Sequence, residues 1–209
     1  MVFNIAIIDY EMGNLKSIHK CLKHLNVTSS VTSDPKAILN ADGVILPGVG
    51  AFGDAMRHLD EKDLISVIHQ VVNNGTPLFG ICLGLQLLFT SSSEMGAFAG
   101  LNLIEGEVVL FDIEKVGKVP HIGWNSVKIQ NYNQFIIQGI PDNSYFYFVH
   151  SYYSLPENEE NILGLTKYGN VNFCSITSKD NIFATQFHPE KSSKHGIKIY
   201  QNFIDFCKK

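Results

Sequence analysis

Gly80-Ile81-Cys82-Leu83-Gly84 places a cysteine between two glycines. It falls where the apolar run Pro77 to Ile81 gives way to a helical run, Leu83 to Phe89. This is the G-x-C-x-G form of a nucleophile elbow. The glycines permit a tight strand-to-helix turn that exposes the central side chain, and the backbone N–H of Leu83 is then placed to stabilise an oxyanion. The start of a helix also favours the thiolate over the thiol. An arbitrary free cysteine is more often a small buried core residue; the flanking glycines and the position favour the nucleophile here.

A thiol nucleophile needs a base to take and return its proton, and the base needs an orienting group. His188-Pro189-Glu190 supplies both, after the strand-like run Ile182 to Gln186. Residues two apart in an extended segment point the same way, so the spacing predicts imidazole and carboxylate on one side. Pro189 restrains the backbone between them. H-P-E alone is also an ordinary surface turn, and its weight comes from pairing with the elbow. His121 and His150 are competing bases, but neither has an acidic residue two positions away.

Gly48-Val49-Gly50-Ala51-Phe52-Gly53 formally matches G-x-G-x-x-G after a strand. A dinucleotide fingerprint also wants an acidic residue at the end of the next strand. That strand ends at Cys82 instead. The alternative is that these glycines let backbone amides approach a reacting carbonyl as the second donor of an oxyanion hole. No G-K-[ST] occurs, which excludes a P-loop.

The elements that position these residues follow from hydrophobic periodicity. Phe3 to Ile8 is a β-rich apolar run, and Leu15, Ile18, Leu22 and Leu25 then recur at helical spacing. Gly43 to Leu46 is a second strand, Leu64 to Val72 a second helix ended by Asn74-Gly75, and Pro77 to Ile81 a third strand. Such alternation predicts parallel strands covered by helices, with ligands at the carboxyl ends of the strands. After about residue 100 the rhythm changes to strands separated by turns: Glu107 to Phe111, Ser126 to Ile129, Tyr145 to His150, Ile162 to Thr166, Phe173 to Thr177 and Ile182 to Gln186. The sheet is therefore expected to be mixed. Ile197 to Phe206 closes the chain as an amphipathic helix.

With 45% hydrophobic and 17% charged residues, the 209-residue chain has the composition of a globular core. A net charge of −4 with scattered lysines argues against nucleic acid as a partner. No apolar stretch approaches a membrane span, and no secretory leader pattern opens the sequence, so a cytoplasmic protein is expected. Cys21, Cys82, Cys174 and Cys207 lie far apart without a C-x-x-C pair and read as free thiols.

Together these residues resemble the class I (triad) glutamine amidotransferases, most closely the glutaminase subunits of imidazole glycerol phosphate synthase in histidine biosynthesis. The likeness is carried by Asp9 to Leu15, Leu46 to Phe52, Gly80 to Leu88, Pro120-His121-Ile122-Gly123-Trp124-Asn125, Tyr147 to Tyr152 and Gln186 to Ser192. It implies a three-layer, flavodoxin-like α/β fold with a central mixed, largely parallel sheet and additional antiparallel strands, in a single domain over 1–209. It also implies hydrolysis of glutamine to glutamate and ammonia, with Cys82 as nucleophile, His188 as base and later acid, and Glu190 orienting the imidazole. The oxyanion hole would draw on Leu83, Val49 and Gly50, the Val49 N–H joining only when the synthase subunit is loaded. Gly50, Gln86, Glu94, Ser151 and Tyr152 match positions that hold glutamine, with Glu94 suited to its amino group.

The same resemblance implies a heterodimer with a (βα)8-barrel cyclase subunit that receives the ammonia, with Asn14, Trp124 and Lys191 at interface positions. No metal or organic cofactor is suggested: His188 and Glu190 could ligate an ion, but no ligand set in the sequence completes a site. Without the resemblance, Gln86 reads as a helix surface residue, Tyr152 as a strand aromatic and Trp124 as core. Glu11 departs from the pattern, since many relatives carry glycine there. Three other functions stay open: the same glutaminase feeding a synthase of nucleotide-sugar or surface-polysaccharide biosynthesis, a stand-alone cysteine hydrolase or peptidase, and a non-enzymatic binding or regulatory module, against which the intact Cys82, His188 and Glu190 set argues.

Overall fold

The computed structural model describes residues 2–209. In chain order its elements are β1 (Ile5–Ile8), α1 (Leu15–His24), β2 (Ser29–Thr32), α2 (Pro35–Leu39), β3 (Gly43–Gly48), α3 (Phe52–Glu61), α4 (Leu64–Asn73), β4 (Leu78–Cys82), α5 (Leu83–Leu87) and β5 (Phe89–Ser92). There follow β6 (Phe98–Ala99), β7 (Ile104–Leu110), α6 (Ile113–Val116), β8 (His121–Ile129), β9 (Ser144–His150), β10 (Tyr152–Pro156), β11 (Ile162–Tyr168), β12 (Val171–Lys179), β13 (Ile182–Thr185) and α7 (Ser193–Cys207).

Nine strands form one sheet in the order β2-β1-β3-β4-β13-β12-β11-β8-β9. The first five are mutually parallel and the rest antiparallel. This is the mixed sheet the sequence predicts. Its parallel half has the doubly wound flavodoxin-like order. A second sheet, β10-β7-β5-β6, packs beside it.

The parallel strands β1, β3, β4 and β13 are buried on both faces, which is why they read as unbroken apolar runs. Ile5, Ile7, Ile45, Phe79 and Ile81 join one core with Ile18 and Leu22 of α1 and Ile199, Tyr200 and Phe203 of α7. The alternating residues Ala6, Ile8, Val44, Leu46 and Leu78 face a second core with Ile38, Ala55, Leu59, Leu64, Val67, Ile68 and Val71 of α2, α3 and α4. Three layers result. Asn74-Gly75 ends α4 as expected, with Gly75 at φ +77°.

Several elements lie outside the sequence expectation. β2, α2, α3, β5, β6 and β10 were not marked by the periodicity. The run Leu83 to Phe89 is helical only to Leu87, because Phe89 opens β5 and pairs with Ile104 of β7. No helix among the described residues is long and apolar enough to cross a membrane.

Candidate active site

The elbow stands at the carboxyl end of β4, where Cys82 adopts φ 57° and ψ −111°. A non-glycine residue rarely holds positive φ, and the surrounding packing must fix it there. The glycines explain how. A Cβ on Gly84 would lie 1.9 Å from the Leu46 carbonyl oxygen, and one on Gly80 would lie 2.9 Å from that of Gly84. The α5 backbone therefore lies directly against β3 and β4, and only hydrogen atoms fit between. As the first residue of α5, Leu83 has an N–H with no intrahelical acceptor.

Strand pairing brings two distant parts of the chain together. β13 runs parallel beside β4 with Thr185 opposite Ile81, so the residues following each strand emerge side by side. His188 and Cys82 accordingly line the same cavity, of about 390 Å³. His188 is held by its backbone: its N–H donates to the Tyr147 carbonyl at 3.0 Å, and the Ser192 hydroxyl donates to its carbonyl at 2.6 Å.

His188 Nδ1 lies 2.9 Å from Glu190 Oε1, so the imidazole and carboxylate do meet. The geometry differs from the extended segment expected. Pro189–Lys191 is a 3-10 turn, and it is this turn that folds the carboxylate back under the ring. Proline suits the first position of such a turn, because its fixed φ is already helical.

Burial lowers the pKa of His188, but hydrogen bonding and charge from Cys82 and Glu190 outweigh it and raise the imidazole to about 10. The imidazole therefore holds its proton when facing a negative sulfur. Its Nε2 is buried and has no partner in strict hydrogen-bond geometry among the described residues. Cys82 is among the groups that raise the imidazole pKa, and a contact of this kind can tighten when substrate enters.

The expected oxyanion-hole residues Val49, Gly50 and Leu83 and the expected substrate residues Gln86, Glu94, Ser151 and Tyr152 line the same cavity. Gln86 is buried, not a surface residue; its Nε2 donates to the Tyr152 carbonyl at 2.9 Å and to Gln186 Oε1 at 3.0 Å. Glu94 Oε2 accepts from the Phe52 N–H at 2.7 Å, which ties the carboxylate to the start of α3. Gly50 sits at φ +102°, a conformation that favours glycine. The Val49 N–H donates to the Met12 carbonyl at 2.9 Å, so in this state it is not aimed at the cavity.

Of the expected interface residues, Lys191 lies at the cavity, whereas Asn14 and Trp124 do not line it. Asn14 precedes α1, and Trp124 stands on β8 with 53% of its surface exposed, 6.3 Å from the Tyr147 ring. Glu11, at φ 72°, makes an exposed ion pair with Lys62 at 2.8 Å.

Two positions, Tyr10 and Gln186, receive no role from the sequence, and His150, weighed there only as a competing base, has another place. The buried Tyr10 hydroxyl donates to the Pro47 carbonyl at 2.6 Å and braces the glycine segment. Gln186 Nε2 approaches Cys82 Sγ at 4.0 Å, and His150 lines the cavity. Gln186 lies two residues before His188 and was within reach of the same alternation argument. Among the described residues, no cluster of three or more His, Cys, Asp or Glu is arranged to hold a metal ion.

A cysteine elbow at the carboxyl end of a doubly wound sheet, facing a buried His–Glu pair, is the arrangement of a triad amidotransferase. The family model described as glutamine amidotransferase class-I matches residues 6–206, and the chain belongs to that family. Its relatives narrow the branch. The chain is 51% identical over 199 residues to the imidazole glycerol phosphate synthase subunit HisH of Moorella thermoacetica, covering 95% of this chain and 93% of that one. It is 47% identical over 205 residues to the subunit of the same name from Methanosarcina barkeri, covering 97% and 98%. Among solved structures, PurLQS from Thermotoga maritima superimposes with a TM-score of 0.77 over 99% of each chain at 15% identity, a likeness of fold alone.

Proposed function

We propose that this chain is the glutaminase subunit of an imidazole glycerol phosphate synthase, acting as a single amidotransferase domain over residues 1–209. It hydrolyses glutamine and passes ammonia to a (βα)8-barrel cyclase subunit in the cytoplasm. The observation that carries the reading is Cys82 at the tip of its elbow in one cavity with the buried His188–Glu190 pair. The similarity to HisH subunits over nearly the whole chain supports the choice of partner.

Cys82 sulfur adds to the carboxamide carbon, and the Leu83 N–H receives the developing negative charge. His188, protonated beside the thiolate, gives its proton to the departing amine, so that ammonia leaves and a glutamyl thioester remains. It then takes a proton from water, which attacks the thioester and releases glutamate. Glu190 keeps the imidazole oriented throughout. Glu94 suits the substrate amino group, and Gln86, Gly50, Ser151 and Tyr152 suit its remaining polar atoms.

The second oxyanion donor is the Val49 N–H once its peptide turns away from Met12. Losing one such donor costs about 10²–10³ in rate, so the observed Val49–Met12 bond keeps the unpartnered subunit slow. Asn14, Trp124 and Lys191 face the cyclase. The test is glutamine turnover with and without a (βα)8-barrel cyclase and its nucleotide substrate. Strong stimulation supports the reading; fast turnover that ignores the partner favours a stand-alone hydrolase.

A further inference from the structure

Two buried histidines lie outside the triad and have no part in the chemistry above. His121 of β8 and His150 of β9 are direct cross-strand partners, 4% and 7% exposed. His121 Nδ1 lies 3.0 Å from His150 Nε2.

The direction of these bonds follows from the groups at the two ends. At the outer end, Asn125 Oδ1 accepts from the Ser126 N–H at 2.8 Å and Nδ2 donates to the Lys167 carbonyl at 2.9 Å. The amide orientation is thereby fixed, and its NH2 faces His121 Nε2 at 3.3 Å. That ring nitrogen must accept, so the His121 proton sits on Nδ1 and is donated to His150. At the inner end, His150 Nδ1 lies 2.8 Å from the Tyr152 carbonyl, which only accepts. Both rings are thus neutral and in the same tautomer. Burial agrees: desolvation pushes His121 down to about 4 and His150 down to about 3.

The Tyr152 carbonyl also receives Gln86 Nε2, whose other proton goes to Gln186 Oε1. We infer that Asn125, His121 and His150 form a one-directional hydrogen-bond relay that positions the Tyr152 carbonyl and, through it, the Gln86 amide in the glutamine cavity. The histidines are positioning residues, and the inference rests on the glutaminase reading. Without the relay the Tyr152 carbonyl loses one of its two donors, and its position, with that of the Gln86 amide that donates to it, is less tightly held. Neither change removes a group of the Cys82, His188 and Glu190 set, so the larger loss falls on substrate binding rather than on chemistry.

The competing role is packing, since both rings sit among Phe111, Phe148 and Phe173. His150→Phe keeps a ring and removes both hydrogen bonds; His150→Asn loses the ring but keeps a donor near Nδ1. With the cyclase complex, His150→Phe should raise the KM for glutamine about 10-fold with kcat within about 3-fold, and His150→Asn should recover most of that KM. An unchanged KM in His150→Phe, or a His150→Asn variant that binds worse, overturns the relay. Should His150→Phe not fold, imidazole nitrogen NMR of the wild-type chain near neutral pH still decides. Neutral Nδ1–H tautomers at both histidines are expected, and an imidazolium or Nε2–H at either overturns the proposal. A wild-type complex without glutamine turnover would instead sink the glutaminase reading itself.

Discussion

His188 Nδ1 lies 2.9 Å from Glu190 Oε1, with the two side chains only 3% and 1% exposed. Water cannot screen so enclosed a pair, and its geometry comes from a 3-10 turn at the end of the central sheet. Glu190→Gln keeps the shape but removes the charge and allows the wrong imidazole tautomer. Glutamine-dependent kcat should fall about 10²–10⁴-fold with little change in KM. Steady-state kinetics of the partnered variant checks this.

The raised pKa of His188 has a consequence for stability. The imidazole titrates near 6.5 in the unfolded chain and near 10 in the fold. The folded state therefore binds the proton more tightly, and the resulting stabilisation is fully present below pH 6.5 and is lost as pH rises through 10. Thermal midpoints should decline across this window in the wild type. His188→Asn should flatten that slope, as read by circular dichroism at several pH values.

Gly84 faces the Leu46 carbonyl so closely that an added Cβ would lie 1.9 Å away. Backbone cannot yield as a flexible side chain does. Gly84→Ala should destabilise the chain by about 3 kcal/mol or prevent folding. Denaturant unfolding measures it, and an unperturbed midpoint would mean the elbow packs less tightly than described.

Trp124 exposes a large aromatic surface on the strand that pairs with β9. As an interface anchor it should behave as a hot spot, so Trp124→Ala should weaken cyclase binding by about 2 kcal/mol or more. Its thermal midpoint should stay near that of the wild type. Calorimetric titration against the cyclase separates the two effects.

The sequence marked the parts of the molecule whose cause is local. Cys82 between its glycines is legible because a strained turn tolerates so few residue types, and β1, β3 and β4 because strands buried on both faces leave unbroken apolar runs. The meeting of Cys82 with His188 was expected from chemistry, but its physical cause, β13 lying parallel against β4, is a long-range pairing that no local pattern displays. α3 went unmarked because its short amphipathic stripe follows directly on the glycine segment. β6 is two exposed residues and β2 lacks a buried face, so neither has periodicity to show. The roles of Gln86 and His150 depend on the Tyr152 carbonyl, which one approaches from α5 and the other from the end of β9.

The central claim is that Cys82 makes ammonia here and another subunit uses it. The most direct measurement is synthesis by the complex carrying Cys82→Ala, supplied either with glutamine or with ammonium. Glutamine-supported synthesis should be abolished while ammonium-supported synthesis stays at the wild-type rate; equal loss of both would contradict the division of labour.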